Sequence, residues 1–322
     1  MTTGPDGRPI RNVRAIVNPR AGVAARAALD ALRATAAAWG QLDVQLTTGP
    51  GDARRLAREA ADRGFDVALS VGGDGTANEA AGGLMGSSTA LGIVPMGSGN
   101  GLARALRIPL RPDQALRALQ DAVVRRMDVG LANGRPFLNV AGAGFDAVVG
   151  EAFHESGKRG GRRGLATYFR LALPRVLAYR AGRWTLVAGS QGFDGAAFLV
   201  AFVNGRQYGG AAVISPGTRL DDGLLEIVVV EDAPVWELLA NVPRLYVGGI
   251  ERFRRYRRIA ATEAVLTAQG PFPHHRDGEP EPAAERLEVS LAPLALSVLV
   301  PRATAADPGG PFGQEGQGRT EK

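Results

Sequence analysis

The residues able to do chemistry in this sequence fall in two glycine-rich stretches and one pair of acids. "SVGGDGTANEAAGGL" (70–84) sets Gly72, Gly73 and Gly75 behind an apolar run, with Asp74 among them. Glycines at such a place let the backbone turn sharply and bring N–H groups against an anion with no Cβ in the way. A helix opening near Thr76–Ala77 would add its unsatisfied N–H groups and the positive end of its dipole. Asp74 is out of place against phosphate unless it holds Mg²⁺ or takes a proton from a hydroxyl nucleophile; a tight turn capped by Asp74 is the competing reading. "IVPMGSGNGLARAL" (93–106) repeats the placement, a strand before and a helix after. There Ser98 can donate to a phosphate oxygen, and Arg104 lies one turn into the helix. In "RDGEP", Asp277 and Glu279 flank a glycine. Side chains at i and i+2 of an extended segment point the same way, which suits one carboxylate for Mg²⁺ and one for a proton. An exposed turn is the alternative, and the neighbouring His274 and His275 read as exposed loop residues.

The elements that must position these groups alternate in the first half. Residues 12–17 read as a strand broken by "NPRAG", and 23–39 as a helix with Leu29, Leu32, Ala36 and Trp39 on one stripe. "LDVQL", a helix capped at Asp52, the buried run "FDVALSV" and the strand "ALGIV" follow. That alternation predicts a parallel sheet covered by helices. Past about residue 123 the pattern turns antiparallel β, with Asn133-Gly134 as a hairpin signal and one clear helix, 234–247, carrying Trp236, Leu239 and Leu245. The expected domains are 11–128, joined by a returning strand near 294–301, and 129–293. The glycine-rich 303–322 is expected to be disordered.

Composition narrows the classes. The 322 residues hold no cysteine and three histidines, which disfavours thiolate and histidine-rich metal centres and fits a reducing cytosol. No run reaches the roughly 20 apolar residues of a membrane span, and the start has no apolar segment of a secretory signal. The net charge of +6 gathers in "KRGGRR" (158–163) and "RFRRYRR" (252–258), read as a docking surface for an anionic membrane or as a solvated face. Few aromatics interleave these runs, so no nucleic-acid partner is expected. No Walker lysine loop occurs, and Leu102 stands where a G-x-G-x-x-G would need its last glycine. "GAGFDA" (142–147) fits that pattern but lacks the downstream acid a dinucleotide site needs.

"NPRAG", "GGDGTANE", "PMGSGNGLAR" and "RDGEP", in that order between residues 12 and 301, resemble the diacylglycerol kinase catalytic-domain family, which includes bacterial lipid kinases and sphingosine kinases. The resemblance implies a phosphofructokinase-like α/β nucleotide domain followed by a β-rich, sandwich-like domain, with ATP bound between them and Mg²⁺ required. It implies nucleotide contacts from Asn18, Pro19, Arg20, Ala21 and Gly22, from Thr47 rather than Thr48, from Gly73, Asp74, Gly75, Thr76, Ala77, Asn78 and Glu79, and from Ser98. Within the family the general base has been placed on either acid motif; Glu279, supported by Asp277, is preferred here, with Asp74 as the alternative. "SPGTRLDDGLLEI" (215–227) is similar to the bacterial structural Mg²⁺ loop, implying Asp222 with the carbonyls of Arg219 and Leu224; an Asp-Gly hairpin turn competes. Gly101 replaces an acid common in the family, which leans the acceptor away from plain diacylglycerol. The implied activity is phosphoryl transfer from ATP to a lipid hydroxyl, by a cytoplasmic protein working at the inner face of the membrane. A homodimer is compatible with it. A kinase of a soluble substrate such as NAD and a catalytically silent nucleotide- or membrane-binding protein are the alternatives.

Overall fold

Central strands buried on both faces organise the first of two units. In this computed structural model, residues 10–21, 23–35, 40–158, 165–209 and 211–313 are described. One unit comprises the chain to Val129, residues 219–222 and everything from Pro293; the other comprises 130–218 and 223–292. In the first, β1 (Asn12–Val17), α1 (Val23–Thr35), β2 (Gln41–Leu46), α2 (Asp52–Asp62), β3 (Val67–Gly72), α3 (Asp74–Leu84) and β4 (Ala90–Pro95) alternate as expected. Every residue of β3 and of β4 is buried, as strands covered on both faces require. The pairings β4-β3-β1-β2 are all parallel. Even a cation is accommodated: Arg14 of β1, almost fully buried, pairs with Asp43 at 2.7 Å and lies over the Phe65 ring.

Short helices α4 (Gly101–Ala105) and α5 (Pro112–Gln120) lead into β5 (Ala122–Ala132), which enters the second unit. The last strand of the chain comes back: Val298 pairs in parallel with Leu91 of β4. Residues 303–313, expected to be disordered, are ordered instead. Arg302–Ala305 form a helical turn, and Phe312 is buried with Arg125 over its ring. One aromatic in a glycine-rich segment supplied enough apolar surface to dock it. Residues 314–322 lie outside the described set.

The second unit is antiparallel. It holds β6 (Arg135–Phe137), β7 (Val140–Gly144), α6 (Phe145–Lys158), α7 (Leu165–Ala178), β8 (Gly182–Ala188), β9 (Gln191–Val203), β10 (Gln207–Gly209), β11 (Ala212–Val213), β12 (Leu225–Glu231), α8 (Val235–Asn241), α9 (Arg244–Val247), β13 (Tyr256–Ala261), β14 (Glu263–Arg276) and most of β15 (Glu279–Pro301). Strands β9 and β14 each pair with both β7 and β8, curling the sheet around a core that includes Phe137, Trp184, Phe202, Leu266 and Leu287. The Asn133-Gly134 hairpin forms as read, with φ positive at both residues and Ala132 opposite Arg135. Helices α6 and α7 were not anticipated in this half. The fold class is as expected: an α/β unit followed by a β-rich one.

Candidate active site

In the first unit the topology marks a ligand position before any side chain is considered. Strand β1 lies between β3 and β2, so the chain leaves it on one side and returns on the other. Parallel sheets bind ligands outside the carboxyl ends of strands at such a switch point. The segments that follow those ends are Asn18–Ala21 and Gly73–Thr76, and they are tied together. The Asn18 N–H donates to the Val71 carbonyl at 2.9 Å, and its Nδ2 to Thr76 Oγ1 at 3.3 Å. Its Oδ1 accepts the Arg20 N–H. Pro19–Ala21 turn once as a 3-10 helix with Pro19 and Arg20 exposed, and Gly22 lies outside the described residues. Helix α3 opens at Gly73, whose lack of a side chain gives no cap hydrogen bond, and the start of a helix is where an anion is favoured.

Asp74 settles the question its position raised. Its Oδ2 accepts the Asn100 N–H at 2.7 Å and its Oδ1 the Gly101 N–H at 2.6 Å. The carboxylate therefore clasps one glycine loop to the other. The N–H groups expected to face phosphate at the start of α4 are given to Asp74. Asn100, left-handed at φ 53, closes its own loop by bonding both the N–H and the carbonyl of Gly97, and Arg104 Nε bonds the Gly99 carbonyl. Ser98 is exposed at the tip.

The glycines divide into two kinds. A Cβ on Gly97 would stand 2.9 Å from Gly73 Cα, and one on Gly99 would stand 2.7 Å from Asp74 Oδ2, so these serve the approach of the loops. A Cβ on Gly75 would meet nothing within 4 Å, and its φ is not positive. Neither packing nor conformation requires glycine there, which is what a seat for an approaching phosphate predicts.

The remaining expected contacts separate. Glu79 turns to the amino end of α2 and accepts the Gly51 and Ala53 N–H groups at 2.9 and 3.2 Å, so its carboxylate caps a helix. Ala77 is buried within α3, and Asn78 sits one residue on. Thr48 is used in a cap, its N–H and hydroxyl both on Asp52, with Thr47 beside it, bonded through its own N–H to Val17.

Asp277 and Glu279 belong to the second unit, and there the expectation of parallel carboxylates fails. Asp277 and Gly278 have φ of 48 and 81, with Arg276 paired to Glu279 across them, a two-residue hairpin of the type Asp-Gly favours. The chain reverses at this point, so i and i+2 do not share a direction. Asp277 points back and accepts N–H groups from Leu138, Asn139 and Val140 at 2.7, 2.8 and 3.0 Å. Glu279 is 51% exposed, its Oε2 at 3.1 Å from His154 Nδ1. His154, on α6, had no sequence signal.

Behind the turn lies a buried polar chain that sequence reasoning placed on the surface. His274 and His275 are buried. His275 Nε2 is 3.0 Å from Asp146 Oδ2, which also accepts the Tyr208 hydroxyl at 2.9 Å. His275 Nδ1 accepts the Gly278 N–H at 3.3 Å, so the ring proton sits on Nε2. The apparent dinucleotide motif is explained by this pair: a Cβ on Gly142 would fall 2.1 Å from Asp146 Oδ2. Nearby, burial, with the Asp146 charge adding to it, pushes the Tyr179 phenol up to about 12. Tyr179, Val148, Trp184 and Phe272 line a cavity of about 390 Å³.

Of the implied metal loop, Arg219 and Asp222 fall in the first unit and Leu224 in the second. The neighbouring Asp221 is occupied, accepting the Gly313 N–H and pairing with Arg125 at 3.2 Å. Among the described residues no three His, Asp or Glu side chains form a metal cluster. The 252–258 basic run is less bare than expected: Arg254 pairs with Glu237, Arg255 and Arg257 with Glu231, and Arg258 with Glu226. Residues 159–163 of the other basic run lie outside the described set. No described helix is long and apolar enough to cross a membrane.

Comparison with known proteins agrees with this architecture. Residues 12–132 match the diacylglycerol kinase catalytic domain, and 139–300 match the YegS C-terminal NAD kinase beta sandwich-like domain. Fold and loops thus define a kinase of the diacylglycerol kinase class, for which ATP is the implied co-substrate. A Pseudomonas aeruginosa (strain UCBPP-PA14) protein named "Probable lipid kinase YegS-like" is 35% identical over 81% of this chain and 85% of its own. One of the same name from Chromohalobacter salexigens is 34% identical over 82% and 85%. A diacylglycerol kinase structure from Bacillus anthracis str. Sterne superposes with a TM-score of 0.71 at 23% identity, covering 91% of this chain and 98% of that one, a likeness of fold. The chain belongs to the YegS-like lipid kinase family.

Proposed function

We propose that this kinase transfers the γ-phosphoryl group of ATP to the hydroxyl of a lipid. The observation that carries the reading is the switch-point seat: an uncapped α3 start, an open Gly75 and a second loop clasped against it by Asp74, in a chain whose relatives are named lipid kinases. Phosphoryl transfer needs positioning and charge neutralisation more than covalent help. The α3 N–H groups, Thr76 and Ser98 take the phosphate side. Mg²⁺ bound with the nucleotide would neutralise phosphate charge, and a separate structural Mg²⁺ would be held by Asp222 and the carbonyls of Arg219 and Leu224, an all-oxygen set that suits a hard cation. Glu279 takes the acceptor proton, because both carboxylate oxygens of Asp74 and of Asp277 are held by backbone N–H groups, whereas Glu279 is half-exposed. The apolar cavity beside Tyr179 and Trp184 suits the acceptor's hydrocarbon. The acceptor itself lies in a bilayer, so the protein works there as a peripheral, cytoplasm-facing enzyme.

Incubation with labelled ATP, Mg²⁺ and a panel of diacylglycerol, sphingosine and related lipids tests this directly. A labelled lipid is expected; label appearing on NAD, or on nothing, overturns the reading. The glycines supply a finer test. Gly75→Ala should leave stability unchanged or raise it by up to about 1 kcal/mol, since alanine favours helix, while ATP binding by titration calorimetry weakens. Gly97→Ala should destabilise by roughly 1–3 kcal/mol, because the loops must part. Equal ATP binding in Gly75→Ala and wild type would remove the phosphate from this seat.

A further inference from the structure

Helices α8 and α9 carry a solvent face of the wrong chemistry for water. Val242 and Pro243 between them keep right-handed helical dihedrals, and bonds from Val242 to Leu239 and from Tyr246 and Val247 to Pro243 continue the turns. Residues 235–247 therefore form one helical stretch. Its exposed positions include Trp236, Leu239, Ala240, Pro243, Tyr246 and Val247, spaced i, i+3, i+4, i+7, i+10 and i+11 on a single face. Trp236 is 69% and Val247 83% exposed. The opposite face is apolar too: Val235, Leu238 and Leu245 pack on the core with Ile250 and Phe253. The helix's one acid, Glu237, is buried against its base and gripped by Arg254 through both carboxylate oxygens. A continuous apolar stripe left in water marks an interaction surface.

We propose that this stripe is the element that seats the protein on an anionic bilayer, lying in the plane of the headgroups with its apolar face turned into the acyl boundary. The inference rests on the lipid-kinase reading only for the reason a bilayer is visited. Three features choose the bilayer over a second copy of the chain. Tryptophan and tyrosine near the two ends of the stripe are the side chains that settle at a membrane interface, with apolar rings and polar tips. Arg244, on the helix itself, and Arg252, in the turn five residues past its end, have no carboxylate partner among the described residues, unlike the other arginines of the 252–258 run, and so remain to meet anionic headgroups. One helical stripe of six side chains is also far short of the roughly 20–30 residues a side of a stable dimer, whereas it suffices for an interfacial anchor.

Co-sedimentation of the full chain with phosphatidylcholine vesicles, with and without phosphatidylglycerol, tests the proposal. Binding is expected with phosphatidylglycerol, accompanied by a blue shift of Trp236 emission. The double variant Trp236→Ser, Val247→Ser should weaken binding by at least about tenfold with an unchanged thermal midpoint. The pair Arg244→Gln, Arg252→Gln should remove most of the preference for anionic vesicles. Activity on a short-chain lipid dispersed as monomers should be the same in the Trp236, Val247 variant as in wild type. Vesicle binding lost in that variant, in a protein that phosphorylates no lipid, would keep the docking surface and remove the kinase reading. Undiminished vesicle binding in the variant, or a wild-type dimer that the variant abolishes without vesicles, would overturn the surface.

Discussion

Glu279→Gln is expected to lower kcat for lipid phosphorylation by about 10²–10⁴-fold, the usual loss when a positioned general base is removed. The thermal midpoint should barely move, because a half-exposed side chain with one histidine contact contributes little to folding, within about 0.5 kcal/mol. ATP binding, measured by calorimetry, should also persist, since the phosphate seat lies on other residues. Asp74→Asn should behave differently. An amide can offer only one acceptor oxygen to the Asn100 and Gly101 N–H groups and must turn its NH₂ toward the other, so the loops part, and stability and ATP affinity fall together. The reverse pattern, full turnover in Glu279→Gln and a pure kcat loss in Asp74→Asn, would move the base to Asp74.

Where the sequence spoke clearly, it did so through local pattern. Strands β3 and β4 are buried at every residue, so their apolar runs show without any partner in view. Asn133-Gly134 declares its hairpin because apolar runs flank it on both sides. The same physics operates at Asp277-Gly278, yet histidines, an arginine and prolines surround it, so its sequence reads as an extended segment with Asp277 as a partner for Glu279. The Asp146–His275 pair was invisible for another reason. The two residues are 129 positions apart and meet only because β7 pairs with β14 in a register that sets His275 opposite Gly142. Register between distant strands leaves no trace in spacing. The glycine loops were legible as a phosphate site but not as two surfaces touching: only coordinates separate Gly97, which makes room for Gly73, from Gly75, which makes room for nothing in the chain.

Asp277→Ala should destabilise the protein by about 3 kcal/mol, the larger structural effect among the acids. Its carboxylate is the acceptor for three successive N–H groups, those of Leu138, Asn139 and Val140, and all three residues are buried. Each donor stranded without a partner costs about 1–3 kcal/mol, less where water can enter beside the turn. Alanine also tolerates φ of 48 poorly, whereas asparagine adopts it readily. Asp277→Asn should therefore recover the backbone conformation and one acceptor oxygen, and lose only about 1 kcal/mol. In thermal unfolding the alanine variant is expected about 6–12 °C below wild type, the asparagine variant about 2–4 °C below. Activity should fall in proportion to the folded fraction, because Asp277 holds the turn from which Glu279 projects without itself meeting the acceptor. An alanine variant with a wild-type midpoint and the kcat of Glu279→Gln would instead make Asp277 a member of the catalytic pair.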